Sequence, residues 1–124
     1  MKVCIATGGT GGHIYPAVSF AKALQESDQT TEILFIGNND RMEATEIPAL
    51  GFRFIGLDAR GFNGSIFAKL NAAIKMLKSR SKAIQILNEF KPDFVVGFGG
   101  YVSVPVLSAA QALKIKTMLH EQNS

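Results

Sequence analysis

The sequence has a single cysteine, Cys4, no tryptophan and only two histidines. One cysteine excludes a disulfide scaffold. Two histidines, one cysteine and scattered carboxylates offer no metal-ligand spacing, so no metal is expected. No apolar run approaches the roughly 20 residues of a membrane-spanning helix. No secretory leader is expected either, because Met1 and Lys2 open directly into a short apolar stretch that stops at glycines. The expectation is a cytosolic, reducing setting. Charged residues are only 19% of the 124, against 47% hydrophobic. That balance excludes disorder and supplies a core without staples, in one domain or part of one.

The charge that is present is unevenly placed. Between Ala59 and Asn88 there is no Asp or Glu, yet the stretch holds Arg60, Lys69, Lys75, Lys78, Arg80 and Lys82. The rest of the chain is mildly acidic, and the sum is +3. A local basic region predicts an anionic partner at one face: a phosphate, a membrane surface or a nucleic acid.

Apolar runs and breakers alternate along the chain. Strands are predicted at Val3–Thr7, Ile33–Ile36, Phe52–Leu57, Asp93–Val96 and Lys116–Leu119. Helices are predicted over His13–Ser27, Arg41–Leu50, Ile66–Phe90 and Val104–Leu113, with Pro16 in the first turn of the first. Asp58–Ser65 reads as a loop. Alternating βαβ units with short continuous apolar strands predict an α/β fold: a Rossmann-like parallel sheet with helices on both faces. Right-handed crossovers give the strand order 3-2-1-4-5. The chain reverses between strands 1 and 4, where such sheets bind ligands. The clusters Gly8–Gly12 and Gly97–Gly100 follow those two strands, and strand 5 delivers His120-Glu121-Gln122-Asn123 to the same rim. Ser124 follows that strand with no covering helix, so residues 1–124 are expected to be a truncated domain of a longer protein.

The first glycine cluster is not a dinucleotide fingerprint. Gly9 and Gly11 fit its first two positions, but the third falls on Ile14, and no acidic residue closes strand 2. A P-loop is excluded because no Gly-Lys-Ser/Thr follows. Two readings remain: a tight strand-to-helix turn, or a turn that presents N–H groups and a positive helix end to an anion. The second cluster has the same setting, with Tyr101 either packed on the next helix or standing at the rim. His13 sits where a helix end disfavours a cation, so it reads as a neutral proton acceptor or as a polar residue without chemistry. Glu121 could orient a ligand hydroxyl, pair with His13 or stand as a surface carboxylate; His120 reads as packed or functional. Cys4 reads as core. In the long helix, Ile66, Leu70, Ala73, Leu77, Ile84 and Leu87 share one stripe that Phe67 and Ile74 widen. Lys75, Lys78 and Lys82 flank it. The stripe either faces the core or lies on an anionic bilayer.

Four segments carry a family resemblance: Gly8-Gly9-Thr10-Gly11-Gly12-His13, Asp40-Arg41-Met42-Glu43-Ala44, Gly97-Phe98-Gly99-Gly100-Tyr101-Val102-Ser103 and His120-Glu121-Gln122-Asn123. In this order they resemble the N-terminal half of the MurG family. These bacterial transferases add N-acetylglucosamine to undecaprenyl-pyrophosphoryl-muramyl pentapeptide in peptidoglycan synthesis, and so serve cell wall biogenesis, cell shape and cell division. The resemblance runs from Met1 to Ser124; Val104 stands where the family often has Gly.

The resemblance implies the acceptor-side domain of a two-domain GT-B glycosyltransferase, inactive without the second domain that grips most of the UDP. The implied reaction is attack of the muramyl 4-hydroxyl on the anomeric carbon of UDP-N-acetylglucosamine, with inversion and no obligatory cofactor. It implies UDP-sugar contacts at Thr10, Gly11 and Gly12, and a sugar contact at Asn123. Gly9, Gly99 and Gly100 belong to the loops that would receive the acceptor pyrophosphate. His13 is the candidate base, with Glu121 and Tyr101 in support. The basic helix, through Lys75, Lys78, Lys82, Phe67 and Ile74, would dock the cytoplasmic leaflet beside the lipid-linked acceptor, and nucleic acid is not expected as a partner. A membrane-recruiting subunit of a split transferase and a non-catalytic nucleotide-sugar sensor are the alternatives.

Overall fold

The computed structural model describes residues 1–9, 11–59 and 64–120. Five strands form one parallel sheet: β1 (Lys2–Ala6), β2 (Glu32–Asn38), β3 (Arg53–Leu57), β4 (Phe94–Gly97) and β5 (Lys116–Leu119), in the order β3-β2-β1-β4-β5. This is the expected order. Among the described residues four helices connect them: α1 (Gly11–Ser27), α2 (Glu43–Ala49), α3 (Ile66–Phe90) and α4 (Ser103–Ala112).

Strand alternation divides the core into two layers. Val3 and Ile5 of β1 pack on one face with Ile14, Ala17, Val18 and Ala21 of α1 and Ile47 of α2. Cys4 and Ala6 pack on the other with Ala83, Leu87 and Phe90 of α3 and Val106, Ala109 and Ala110 of α4. Because side chains on a strand alternate, each central strand serves both layers and carries almost no polar residue. Cys4 is fully buried, as expected, and burial pushes its thiol far above the ordinary thiol range.

Two expectations need correction. The first concerns α1, which begins at Gly11 rather than His13, so Pro16 stands in its second turn. The missing N–H leaves the carbonyl of Gly12 without its i+4 partner; Gly12 is exposed, and water can satisfy it.

The second concerns α3. Its core face is Ala72, Ser79, Ala83, Ile86, Leu87 and Phe90, not the single stripe from Ile66 to Leu87. Ile66, Phe67, Leu70, Ile74 and Leu77 are exposed, at 74%, 84%, 55%, 48% and 67%. Length explains the division. Twenty-five residues of helix span about 37 Å, whereas strands of four to seven residues reach about 13–24 Å. One end of α3 therefore overhangs the sheet and takes its apolar residues into solvent. Ser65 caps this helix by accepting from the Ala68 N–H at 3.2 Å, and Lys91 ends it in the left-handed region at φ 54°.

Candidate active site

The C-terminal ends of β1 and β4 are neighbours, with Ala6 in register with Gly97. The chain leaves β1 through Gly8 and Gly9 into α1, and leaves β4 through Phe98, Gly99 and Gly100 into α4. The Phe98 N–H donates to the Ala6 carbonyl at 2.7 Å, which ties the two turns at their roots.

Above that root the turns touch. A methyl group on Gly100 would stand 2.5 Å from the Gly8 carbonyl oxygen. One on Gly99 would stand 2.8 Å from Cδ2 and 2.9 Å from Nε2 of His13. Both glycines hold positive φ, 90° and 83°, which only glycine adopts at low cost. The buried Ser103 hydroxyl donates to the Gly99 carbonyl at 2.7 Å and fixes the second turn to α4.

His13 lies between the turns. Its Nδ1 is 3.1 Å from the Gly8 carbonyl oxygen. A carbonyl has no proton to give, so Nδ1 carries the hydrogen, and in the neutral ring the lone pair is on Nε2. That nitrogen is the one beside Gly99. A neutral imidazole with its free nitrogen at the crevice between two glycine turns can accept a proton from a bound hydroxyl.

Glu43, at the start of α2, is 0% exposed and lies beneath the first turn. Its Oε1 accepts the Gly9 N–H at 3.2 Å and its Oε2 accepts the Asn38 N–H at 2.9 Å. The slot exists because Gly8 and Gly37 have no side chain: a methyl on Gly8 would overlap the Glu43 carboxylate, and one on Gly37 would lie 2.6 Å from its Cγ. The Gly9 N–H is thus turned inward, away from any ligand. The open donors lie at the start of α1, where the first N–H groups have no helical partner.

The basic region is less open than its composition suggests. Lys75 Nζ pairs with Asp58 at 3.1 Å, and Lys82 Nζ donates to the Gly56 carbonyl at 3.0 Å. With Lys78 they line a recess of about 160 Å³ beside Asn39 and Leu57. Two of the three lysines expected on a membrane-facing flank are therefore tied to the end of β3. On the far side, an apolar groove of about 330 Å³ lies among Ala73, Met76, Leu77, Val104 and Pro105. Arg80 Nε donates to Ser108 Oγ at 2.9 Å beside it. No helix among the described residues is long and apolar enough to cross a membrane.

Residues 3–124 match the glycosyltransferase family 28 N-terminal domain. The chain belongs to this family. It is 46% identical over 125 positions to a relative from Lactococcus lactis subsp. lactis, covering 100% of this chain and 35% of that one. A relative from Listeria monocytogenes is 43% identical, with 100% and 34% covered. Both are named UDP-N-acetylglucosamine–N-acetylmuramyl-(pentapeptide) pyrophosphoryl-undecaprenol N-acetylglucosamine transferase. The crystal structure of Acinetobacter baumannii MurG superposes with a TM-score of 0.84 at 34% identity, covering 98% of this chain and 35% of that one. The chain thus spans about a third (35%) of the length of such relatives. Its fold is that of the N-terminal Rossmann-like domain of a GT-B glycosyltransferase.

In this family 28 domain His13 and Gly99 are in contact and Gly100 packs on the Gly8 carbonyl, with Gly9, Gly11 and Gly12 beside them along the chain. Tyr101 stands beside them, 53% exposed, rather than packed away. Thr10, Glu121 and Asn123 lie outside the described residues. His120 is held by its N–H on the Gly97 carbonyl at 2.8 Å, and its ring stacks on Phe98 at 5.0 Å. Sequence reasoning gave Glu43 and Ser103 no role of their own. No local pattern in the sequence joins Glu43 to Gly8 and Gly37, the glycines that make its slot. Among the described residues no group of three His, Cys, Asp or Glu side chains is placed to hold a metal ion.

Proposed function

We propose that this chain is the acceptor-side half of a two-domain glycosyltransferase. The enzyme moves N-acetylglucosamine from UDP-N-acetylglucosamine to undecaprenyl-pyrophosphoryl-N-acetylmuramyl pentapeptide at the cytoplasmic face of the bacterial membrane. The observation that carries this reading is the position of His13, whose free Nε2 lies between two glycine turns at the reversal point of the sheet.

The muramyl 4-hydroxyl oxygen attacks the anomeric carbon of the donor sugar from the face opposite UDP. Its proton passes to Nε2 of His13, and the bond from the anomeric carbon to the UDP oxygen breaks, with UDP taking the electron pair. The configuration inverts. The acceptor pyrophosphate is received by the N–H groups that begin α1, at Gly11 and Gly12, and by the Gly97–Gly100 turn. Thr10, Gly11 and Gly12 also contact the UDP-sugar, Asn123 contacts its sugar, and Glu121 and Tyr101 are the supporting polar residues. A second domain supplies the remaining donor contacts. The exposed apolar end of α3, with Lys78 beside it, is the face that would meet the leaflet carrying the acceptor, and its exposure supports this reading.

The test is transfer of labelled N-acetylglucosamine to a vesicle-borne acceptor by the full-length protein. His13→Gln is expected to lower kcat about 10²- to 10⁴-fold with the thermal midpoint retained. Unchanged turnover would remove His13 as the base. Tight UDP-sugar binding by residues 1–124 alone, with no response to an acceptor analogue, would favour the sensor reading instead.

A further inference from the structure

We infer that Glu43 is a positioning residue for His13, acting through the peptide unit between Gly8 and Gly9. The inference rests on the reading of His13 as the base. The Gly8 carbonyl and the Gly9 N–H are the two ends of one planar group. The described residues contain no cis peptide, so the two ends point in opposite directions. The Gly9 N–H goes to Glu43 Oε1 at 3.2 Å, and the Gly8 carbonyl oxygen lies 3.1 Å from His13 Nδ1. The peptide is therefore clamped between a carboxylate on one edge and an imidazole on the other.

The carboxylate cannot turn away from this task. Its second oxygen is held at 2.9 Å by the Asn38 N–H at the end of β2. Its side chain fills a slot bounded by the Cα atoms of Gly8 and Gly37. Rotating the Gly8–Gly9 peptide would break the Glu43 bond and turn the Gly8 carbonyl away from His13. The fixed carbonyl then fixes the imidazole: Nδ1 must carry the hydrogen and Nε2 must face the Gly99 turn. A chain of hydrogen bonds also polarises along its length. Negative charge on Glu43 strengthens the Gly8 carbonyl as an acceptor and so steadies the imidazolium that forms when Nε2 takes a proton. The N-terminal end of α1 works against that cation, so the carboxylate offsets the field of the helix that carries His13.

A carboxylate that merely stapled α2 to the sheet would hold the fold without governing the tautomer of His13. The experiment is long-range proton–nitrogen NMR on the full-length protein with labelled histidine, the His13 signals being assigned by their loss in His13→Gln. It is paired with steady-state kinetics. The wild type is expected to show hydrogen on Nδ1 and a bare Nε2. Glu43→Gln keeps the size but loses the charge and one acceptor. It is expected to mix the tautomers and to lower kcat about 10- to 100-fold, with the donor KM within roughly twofold. A wild-type His13 with its hydrogen on Nε2 overturns the inference, as does a Glu43→Gln protein with unchanged tautomer. Should Glu43→Gln fail to fold, Glu43→Asp, one methylene shorter, takes the same measurement with the same two outcomes. If the tautomer shifts but neither His13→Gln nor Glu43→Gln alters kcat, the base reading fails and the positioning stands. If His13→Gln lowers kcat while Glu43→Gln leaves the tautomer alone, the positioning fails and the base stands.

Discussion

The imidazole of His13 rests against the Cα of Gly99, so close that a methyl group there would lie 2.9 Å from Nε2. The second glycine turn is thus a wall of the His13 site as well as a neighbouring loop. Gly99→Ala is expected to push the ring out of place. The ring can move, so the effect falls mainly on chemistry: kcat lower by more than tenfold, with about 1–2 kcal/mol of stability lost to the positive φ. Steady-state rates and a denaturant titration on the same preparation check both parts. A variant with lost stability but unchanged kcat would show that the ring does not need this wall.

Gly100→Ala is expected to behave differently. Its methyl would meet the backbone carbonyl of Gly8 at 2.5 Å, and backbone cannot step aside as a side chain can. The residue also holds φ 83°. The two turns must separate, and the loss of stability should exceed that of Gly99→Ala by at least about 1 kcal/mol. Comparing the two unfolding midpoints decides it; a Gly100→Ala protein as stable as Gly99→Ala would mean that the turns are not pressed together in solution.

The sheet was legible because β1 to β4 are short, mostly apolar runs with glycine, proline or asparagine at or near an end, and β1, β2 and β4 are buried on both faces. The convergence of Gly8–Gly12 with Gly97–Gly100 followed from strand order alone. The core face of α3 was not legible. That helix carries apolar residues on more than one side, and periodicity cannot say which side meets the sheet when half of the helix overhangs it. Glu43 was illegible for another reason. Its slot is made by Gly8 at the end of β1 and Gly37 near the end of β2, and no local pattern joins residues 8, 37 and 43. Lys75 and Lys82 show the same limit, since Asp58 and the Gly56 carbonyl that hold them are set by the register of β3 beside β2.

Cys4 tests the packing of the sheet directly. It is fully buried, and burial drives its thiol well above the ordinary range. The raised thiol pKa has a clear sign: at pH 8 the native thiol stays protonated, and a protonated thiol is a poor nucleophile. Cys4 should therefore resist a disulfide reagent in the native protein and react fully once denaturant opens the sheet. Rapid labelling without denaturant would mean that β1 opens locally at low cost.

The exposed end of α3 yields the last prediction. Phe67 is 84% exposed and Leu70 is 55% exposed, so neither holds the core together. Replacing each with serine should shift stability by no more than about 0.5 kcal/mol. Burying a phenylalanine side chain in the acyl boundary is worth about 1.5–3 kcal/mol. Phe67→Ser alone should then weaken binding to anionic vesicles by about tenfold or more. Lys78→Glu should weaken it further and remove part of its salt dependence. Lys75 is a poorer probe, because a carboxylate there would face Asp58 and disturb the end of β3. Co-sedimentation with vesicles of graded anionic content separates the two contributions. Equal binding by wild type and Phe67→Ser would show that this face meets something other than lipid, whereas apolar loss with no salt effect would leave the lysines to the recess beside β3.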